Sequence, residues 1–257
     1  MSIDEMTLND AIYGTEKTKK QIVLEQIREL IISGQLQPGT VLQDRKLSVM
    51  LDTSRTPVRE AIQLLETEGL VETLMGKGTV VTKISYEDIA RIYDVREYLE
   101  GLAARLSAQM ITPQQLLLLK NDFQQMDDCL NTATSRHNLF IADNDFHNLI
   151  MKSSRNDLLI SIYQNNIYSQ TRRITHLIDS QPDGIIQSHK LHHAILEAIE
   201  VHNPEKAEEF MRLHIRTSKI RHLQRFAPDL NPAIGPEDAR LLSQIGISFH
   251  NSGTGNN

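Results

Sequence analysis

The sequence predicts a mainly α protein: an N-terminal winged helix-turn-helix followed by an antiparallel all-helical bundle of about six helices. Three observations carry that prediction. Residues 17–84 run helix, helix, helix, hairpin, the hairpin set by two β-rich runs around Gly76-Lys77-Gly78. From Ser85 onward, apolar residues recur at helical spacing for about 140 residues, with only short breaks. The chain has 257 residues, 40% hydrophobic and 23% charged, a composition that builds ordinary globular cores. No apolar run approaches the ~18 residues that cross a bilayer, so no membrane partner is expected. The acidic start "MSIDEMTLNDAIYG" lacks the basic-then-apolar plan of a signal peptide. One cysteine, Cys129, excludes an internal disulfide framework and fits a reducing cytoplasm.

Four segments follow: a tail over 1–16, the winged module over 17–84, the bundle over 85–227 and an extension over 228–257. In the first helix, Ile22, Ile27, Leu30 and Ile31 fall at helical spacing, and Gly34 suits its stop. "QPGTVL" reads as a turn, "DRKLSVMLD" as a short second helix and "TSR" as the turn into the third. The bundle opens on a Ser85…Asp88 capping box, and its second helix on Thr112-Pro113 with Gln115 completing another. Further helices are expected near 137–153, 156–178, 186–202 and 204–226, with a short one over 237–245. The closing "NSGTGNN" should be frayed.

The third helix, "SRTPVREAIQLLETEGLV", divides its labour. At ~100° per residue, Val58, Ala61, Ile62 and Leu65 line one side, while Thr56, Arg59 and Gln63 lie opposite. A helix-turn-helix needs this: one side packs, and the polar N-terminal residues enter the major groove. Arginine bonds two acceptors of guanine, and Thr56 or backbone N–H groups hold phosphate. An isolated helix of this kind is more often a solvated surface helix, and only the preceding helix, tight turn and hairpin reverse that preference. The formal net charge of −6 argues against indiscriminate DNA binding, yet residues 17–84 carry ten Lys/Arg against eight Asp/Glu. "GQLQPGTVL…DRKLSVML…SRTPVREAIQLLETEGLV…GKGTVV" resembles the DNA-binding domain of GntR-type bacterial transcription regulators. The resemblance implies DNA contacts at Arg45, Arg55, Thr56, Arg59 and Gly78, and Lys77 joins them by position and charge. The run around Arg45 is "QDRKLS", where the family more often has a Ser-Glu-Arg-Glu-Leu-Ala-like stretch.

In the bundle, ionisable residues sit where apolar ones are expected. Arg96 falls within the stripe of Ile89, Ile92, Leu99, Ala103 and Leu106. Asp143 and His147 share the inner face with Phe146 and Ile150, His192 lies between Leu191 and Ile195, and His214 between Met211 and Ile215. Such groups are costly to bury alone and should meet one another. Asp143 and His147, four apart on one helix, form a scaffold for a divalent metal that His192 and His214 can complete. One carboxylate and three imidazoles suit zinc by default, or nickel or manganese, with positions left open for a ligand. Singly, each histidine is more often a packing residue than a ligand, and only the convergence of four candidates favours a metal. The other histidines, 137, 176, 189, 193, 202, 222 and 250, are assigned surface or structural roles.

"DNDFHNLI…RNDLL…HHAILEAIEVHNPEKAEEFMRLHI" resembles the FCD ligand-binding domain of the FadR subfamily of GntR regulators, over roughly 86–226. The resemblance implies metal ligation by Asp143, His147, His192 and His214 and an inward effector arginine at Arg96. Six helices rather than seven would suit the VanR-like branch. A metal with open positions beside an arginine is a receptor for a small carboxylate, and Asn166 and Arg173 read as inner-face contacts to the rest of such an effector.

These readings converge on a regulator whose operator affinity is set by a small carboxylate or sugar acid. A homodimer on palindromic operator DNA, acting as a repressor, is expected. A metal-dependent hydrolase is the alternative; the inner faces offer no obvious general base, Glu100 being nearest. A structural DNA-binding protein whose histidines only pack is the third.

Overall fold

The computed structural model describes residues 18–131, 136–178, 182–227, 229 and 232–247. The expected tail over 1–16 and the closing "NSGTGNN" lie outside them. The chain divides into two compact units, residues 1–82 and 83–257.

The first unit contains α1 (Lys19–Ile32), α2 (Asp44–Met50), α3 (Arg55–Thr67) and an antiparallel hairpin of β1 (Val71–Leu74) and β2 (Gly78–Val81). Thr18 starts α1 through a reciprocal capping box with Gln21. Val23, Ile27 and Ile31 meet Leu47, Val58, Ala61, Leu65, Val71 and Val81 in one core, with Ile62 against its edge. The expected stripe of α1 is rotated, because Ile22 is exposed and Val23 takes its place inside. Segment 40–42 is more than a turn. Leu42 N–H donates to the Thr79 carbonyl and Val81 N–H to the Thr40 carbonyl, giving β2 a second partner. Arg28 grips Glu68 with Nε and Nη2 at 2.9 and 2.6 Å, tying α1 to the end of α3. At the wing tip, Gly76 and Gly78 have φ of +77° and +84°, a region open to glycine.

The second unit contains α4 (Tyr86–Met110), α5 (Pro113–Asn131), α6 (Arg136–Ser153), α7 (Asp157–Ile162), a π-turn over Tyr163–Ile167, α8 (Tyr168–Ile178), α9 (Pro182–Glu200), α10 (Pro204–Phe226) and α11 (Pro236–Gln244). The capping boxes Ser85/Asp88 and Thr112/Gln115 form as the sequence suggests. Asn203 caps α10 by accepting from Lys206 N–H, with Pro204 at the first helical position. Ile89, Tyr93, Ala103, Phe146, Ile150, Ile195, Ile199, Met211 and Ile215 share the central core. The segment expected as one helix over 156–178 runs without a gap from Asp157 to Ile178, with the π-turn wound into it. The segment expected from 186 begins at Pro182. The described part of the C-terminal extension belongs to this unit: Ile234, Leu242 and Ile247 form a smaller core with Leu191 and Leu213, and Arg216 pairs with both carboxylate oxygens of Asp238 at 2.9 and 2.6 Å.

Candidate functional site

Two places gather chemistry. On the first unit, Arg45, Arg55, Thr56, Arg59 and Gln63 are all exposed, while Val58, Ala61 and Leu65 are buried behind them. Lys77 and Gly78 stand exposed at the wing. The sequence reading missed one participant. Asp44 accepts from Arg55 Nη2 at 2.8 Å and from Arg59 Nε at 2.7 Å, both at Oδ2. The hydrogen bonds from Arg55 and then Arg59 hold its carboxyl below the usual range.

The second place is inside the bundle. Helix α6 supplies His147, α9 His192 and α10 His214, all at most 5% exposed. His192 Nε2 lies 3.1 Å from His147 Nε2 and 3.3 Å from His214 Nε2. One nitrogen from each ring falls within 4.8 Å of the others. Asp143 Oδ1 stands 3.5 Å from His192 Nε2, its side chain partly open. Glu100 Oε2 approaches the far nitrogen of His147, Nδ1, at 2.7 Å. Glu100 Oε1 accepts from Arg96 Nε at 2.6 Å, and the Arg96 guanidinium lies 4.6 Å from the Tyr93 ring centroid. Tyr93 hydroxyl meets His222 Nδ1 at 2.5 Å.

The donor set fits a divalent cation. His192 Nε2 carries either one hydrogen or one lone pair, yet it faces two other imidazole nitrogens and a carboxylate oxygen. A single cation at the meeting point accepts all those lone pairs at once. Burial, and then the neighbouring imidazoles, hold His192 and His214 well below the ordinary histidine range, in the neutral form that ligates metal. Burial raises the Asp143 carboxyl, with Glu100 adding to it and His147 and Arg96 opposing. Glu100 on the outer nitrogen of His147 is the arrangement that fixes the tautomer of a ligating histidine. Burial would raise the Glu100 carboxyl, but Arg96 and His147 outweigh it and keep the group ionised.

Arg96 is buried beside this centre and keeps its Nη groups clear of the bond to Glu100. Arg173 is 1% exposed, and burial lowers its pKa to about 10, with Asp88 opposing. Asn166 is a correction. It is exposed and donates to the Ile162 carbonyl at 3.1 Å, so it does not face the interior. The π-turn adds a residue to the local winding, and a register extrapolated at 3.6 residues per turn points the wrong way there. Tyr163 and Ile167 are the buried residues of that turn. Glu100, the nearest candidate for a general base in the sequence, is 2% exposed. It faces the outer side of His147, away from the Nε2 atoms.

Of the other histidines, His222 is buried on Tyr93, His189 stacks on Phe123 and meets Asp127 at 3.2 Å, and His202 reaches the Ala108 carbonyl. His176 and His193 are exposed. The side chain of His137 and all of His250 lie outside the described residues. No helix among them is long and apolar enough to cross a membrane.

A winged-helix DNA reader joined to a helical domain with a buried polar centre defines a class, the transcription regulators that carry their own sensor. Comparison with known proteins places the chain within it. A family model for "Bacterial regulatory proteins, gntR family" matches residues 19–81, and one for the FCD domain matches residues 91–217. The chain belongs to the GntR family, with an N-terminal GntR helix-turn-helix domain and a C-terminal FCD domain; it is a DNA-binding regulator and not an enzyme. It is 26% identical to a probable D-xylose utilization operon transcriptional repressor of Paenarthrobacter nicotinovorans, over 78% of this chain and 89% of that one. It is 27% identical to the Glc operon transcriptional activator of Escherichia coli K12, over 77% and 87%. In fold it is similar to McbR/YncC of E. coli, with a TM-score of 0.72 and 19% identity over 82% of this chain and all of that one.

Proposed function

We propose that this regulator senses a small carboxylate or sugar acid at a metal held by Asp143, His147, His192 and His214. The observation that carries the reading is the meeting of three buried imidazole Nε2 atoms beside a carboxylate. Zinc is the first assignment, with nickel or manganese the alternatives. The metal would supply an open coordination position for the acid. The Nη groups of Arg96 would share its charge, and Arg173 would contribute from α8. Arg45, Arg55, Thr56, Arg59, Lys77 and Gly78 would meet the operator, the arginines at guanine edges and Lys77 at phosphate. A homodimer would match a palindromic site in the cytoplasm, and ligand binding would release it. The D-xylose-operon relative, named a repressor, favours that sign, and the Glc-operon relative, named an activator, makes it worth measuring.

The deciding experiment is metal analysis of the purified protein beside a His192→Ala/His214→Ala variant, followed by a thermal-shift screen of small acids. We expect near one metal per wild-type chain, almost none in the variant, and a raised melting temperature with the true effector. Equal metal content in the two proteins would overturn the ligand assignment. Arg96→Ala should weaken effector binding far more than metal binding.

A further inference from the structure

We propose that Asp44 is a positioning residue for DNA recognition, a carboxylate that holds Arg55 and Arg59 in reading posture and suppresses their indiscriminate attraction to phosphate. The proposal rests on the reading that α3 enters the major groove. Arg55 and Arg59 are four residues apart on one face of α3, where two like charges repel and two long side chains are free to wander. Both side chains are more than half exposed. Asp44 meets both at one atom. Oδ2 accepts from Arg55 Nε and Nη2 at 3.2 and 2.8 Å and from Arg59 Nε at 2.7 Å. Its other oxygen, Oδ1, accepts the Arg45 N–H at 2.8 Å, which fixes the carboxylate itself against α2.

The choice of nitrogens matters. Arg59 commits only Nε–H, so its four Nη hydrogens remain for the paired acceptors O6 and N7 of guanine. The carboxylate can therefore stay bonded while the arginine reads a base. Rotamer freedom is restricted before DNA arrives, so less is lost on binding the right sequence. Charge works in the same direction. One carboxylate between two guanidiniums leaves the cluster at +1 rather than +2, which weakens the sequence-independent term that comes from neutralising phosphates. Asp44 should thus raise the ratio of specific to non-specific affinity from both ends. Arg45, with its side chain exposed and outside this cluster, is left to the backbone or to a third base.

The test is selection of binding sites from a random duplex pool by the full-length wild type, Asp44→Asn, Asp44→Glu and Arg59→Ala, with affinity for poly(dA-dT) duplex measured at one salt concentration. Circular dichroism checks that each variant is folded. Asp44→Asn should lower the affinity ratio of the best selected site to the poly(dA-dT) duplex by about tenfold, with non-specific binding unchanged or raised. Asp44→Glu, which restores the charge one methylene further out, should recover part of the ratio. A ratio within twofold of wild type in Asp44→Asn overturns the proposal. So does an equal loss of specific and non-specific binding in both Asp44 variants, since that marks a purely structural residue. Wild-type site preference in Arg59→Ala would instead sink the underlying assignment of α3, a different failure.

Discussion

Arg96 and Glu100 occupy the dry interior as an i, i+4 pair, at 4% and 2% exposure, and each offsets much of the cost of burying the other. Glu100→Gln leaves a buried guanidinium without a counter-charge and removes the anion beside His147. We expect a loss of about 3–5 kcal/mol and a fall in melting temperature of roughly 10 °C, read by thermal denaturation. Asp122 presents the opposite case. Desolvation first, and the charge of Asp145 second, lift its carboxyl to about 7, while an unfolded aspartate ionises near ~3.9. The folded chain retains a proton that the unfolded chain has lost, so this group's contribution to stability is full below about pH 4 and is lost as pH rises to about 7. Asp122→Asn should remove that dependence. With solvent screening of a partly exposed carboxyl taken into account, we expect a gain of about 1 kcal/mol at pH 8, or about 2–4 °C, shrinking toward pH 4.5. At this scale the sequence was legible where periodicity decides, as for His147, His192 and His214, whose neighbours at helical spacing are core residues. It was not legible for the contacts of Asp44 with Arg55 and Arg59 or of Glu100 with His147, which depend on which helix meets which.

The caps at Ser85 and Thr112 were readable, because each acts through a neighbour three residues away, whereas those at Thr18 and Asn203 emerged only in the structure. The π-turn was not readable, and Asn166 was misplaced with it, while Tyr163 and Ile167 are the residues that the turn buries. Nor was the role of α11. Its Leu242 meets Leu191 and Leu213, the chain neighbours of His192 and His214. Lys190 Nζ donates to the Gly246 carbonyl at 3.1 Å on the same side. The segment therefore braces the two helices that carry these histidines, although it lies beyond the FCD match. Leu242→Ala should cost about 2–4 kcal/mol as a buried truncation. It should also weaken metal retention severalfold against a chromophoric chelator, because the spacing of α9 and α10 sets the Nε2 separation. Unchanged retention in a destabilised variant would confine α11 to stability.

For the whole molecule, sensing requires that the two units share free energy, and linkage fixes the form of that sharing. If the acid lowers operator affinity by some factor, operator DNA must lower the affinity for the acid by the same factor. A ligand that binds the DNA-free and DNA-bound states equally shifts nothing, however tightly it binds. The reader carries a formal +2 while the remainder of the chain is acidic, so DNA binding is also salt-dependent, and the two affinities must be measured in one buffer. We expect titration calorimetry of the metal-loaded protein to give an acid dissociation constant about 5–150-fold weaker when operator duplex is saturating, the range of typical couplings. Stripping the metal with a chelator should abolish acid binding and the difference together, while leaving a folded DNA reader whose operator affinity no longer responds to the acid. Identical dissociation constants with and without operator would leave the metal centre as a structural brace, and the control of this regulator would have to be sought outside the histidine cluster.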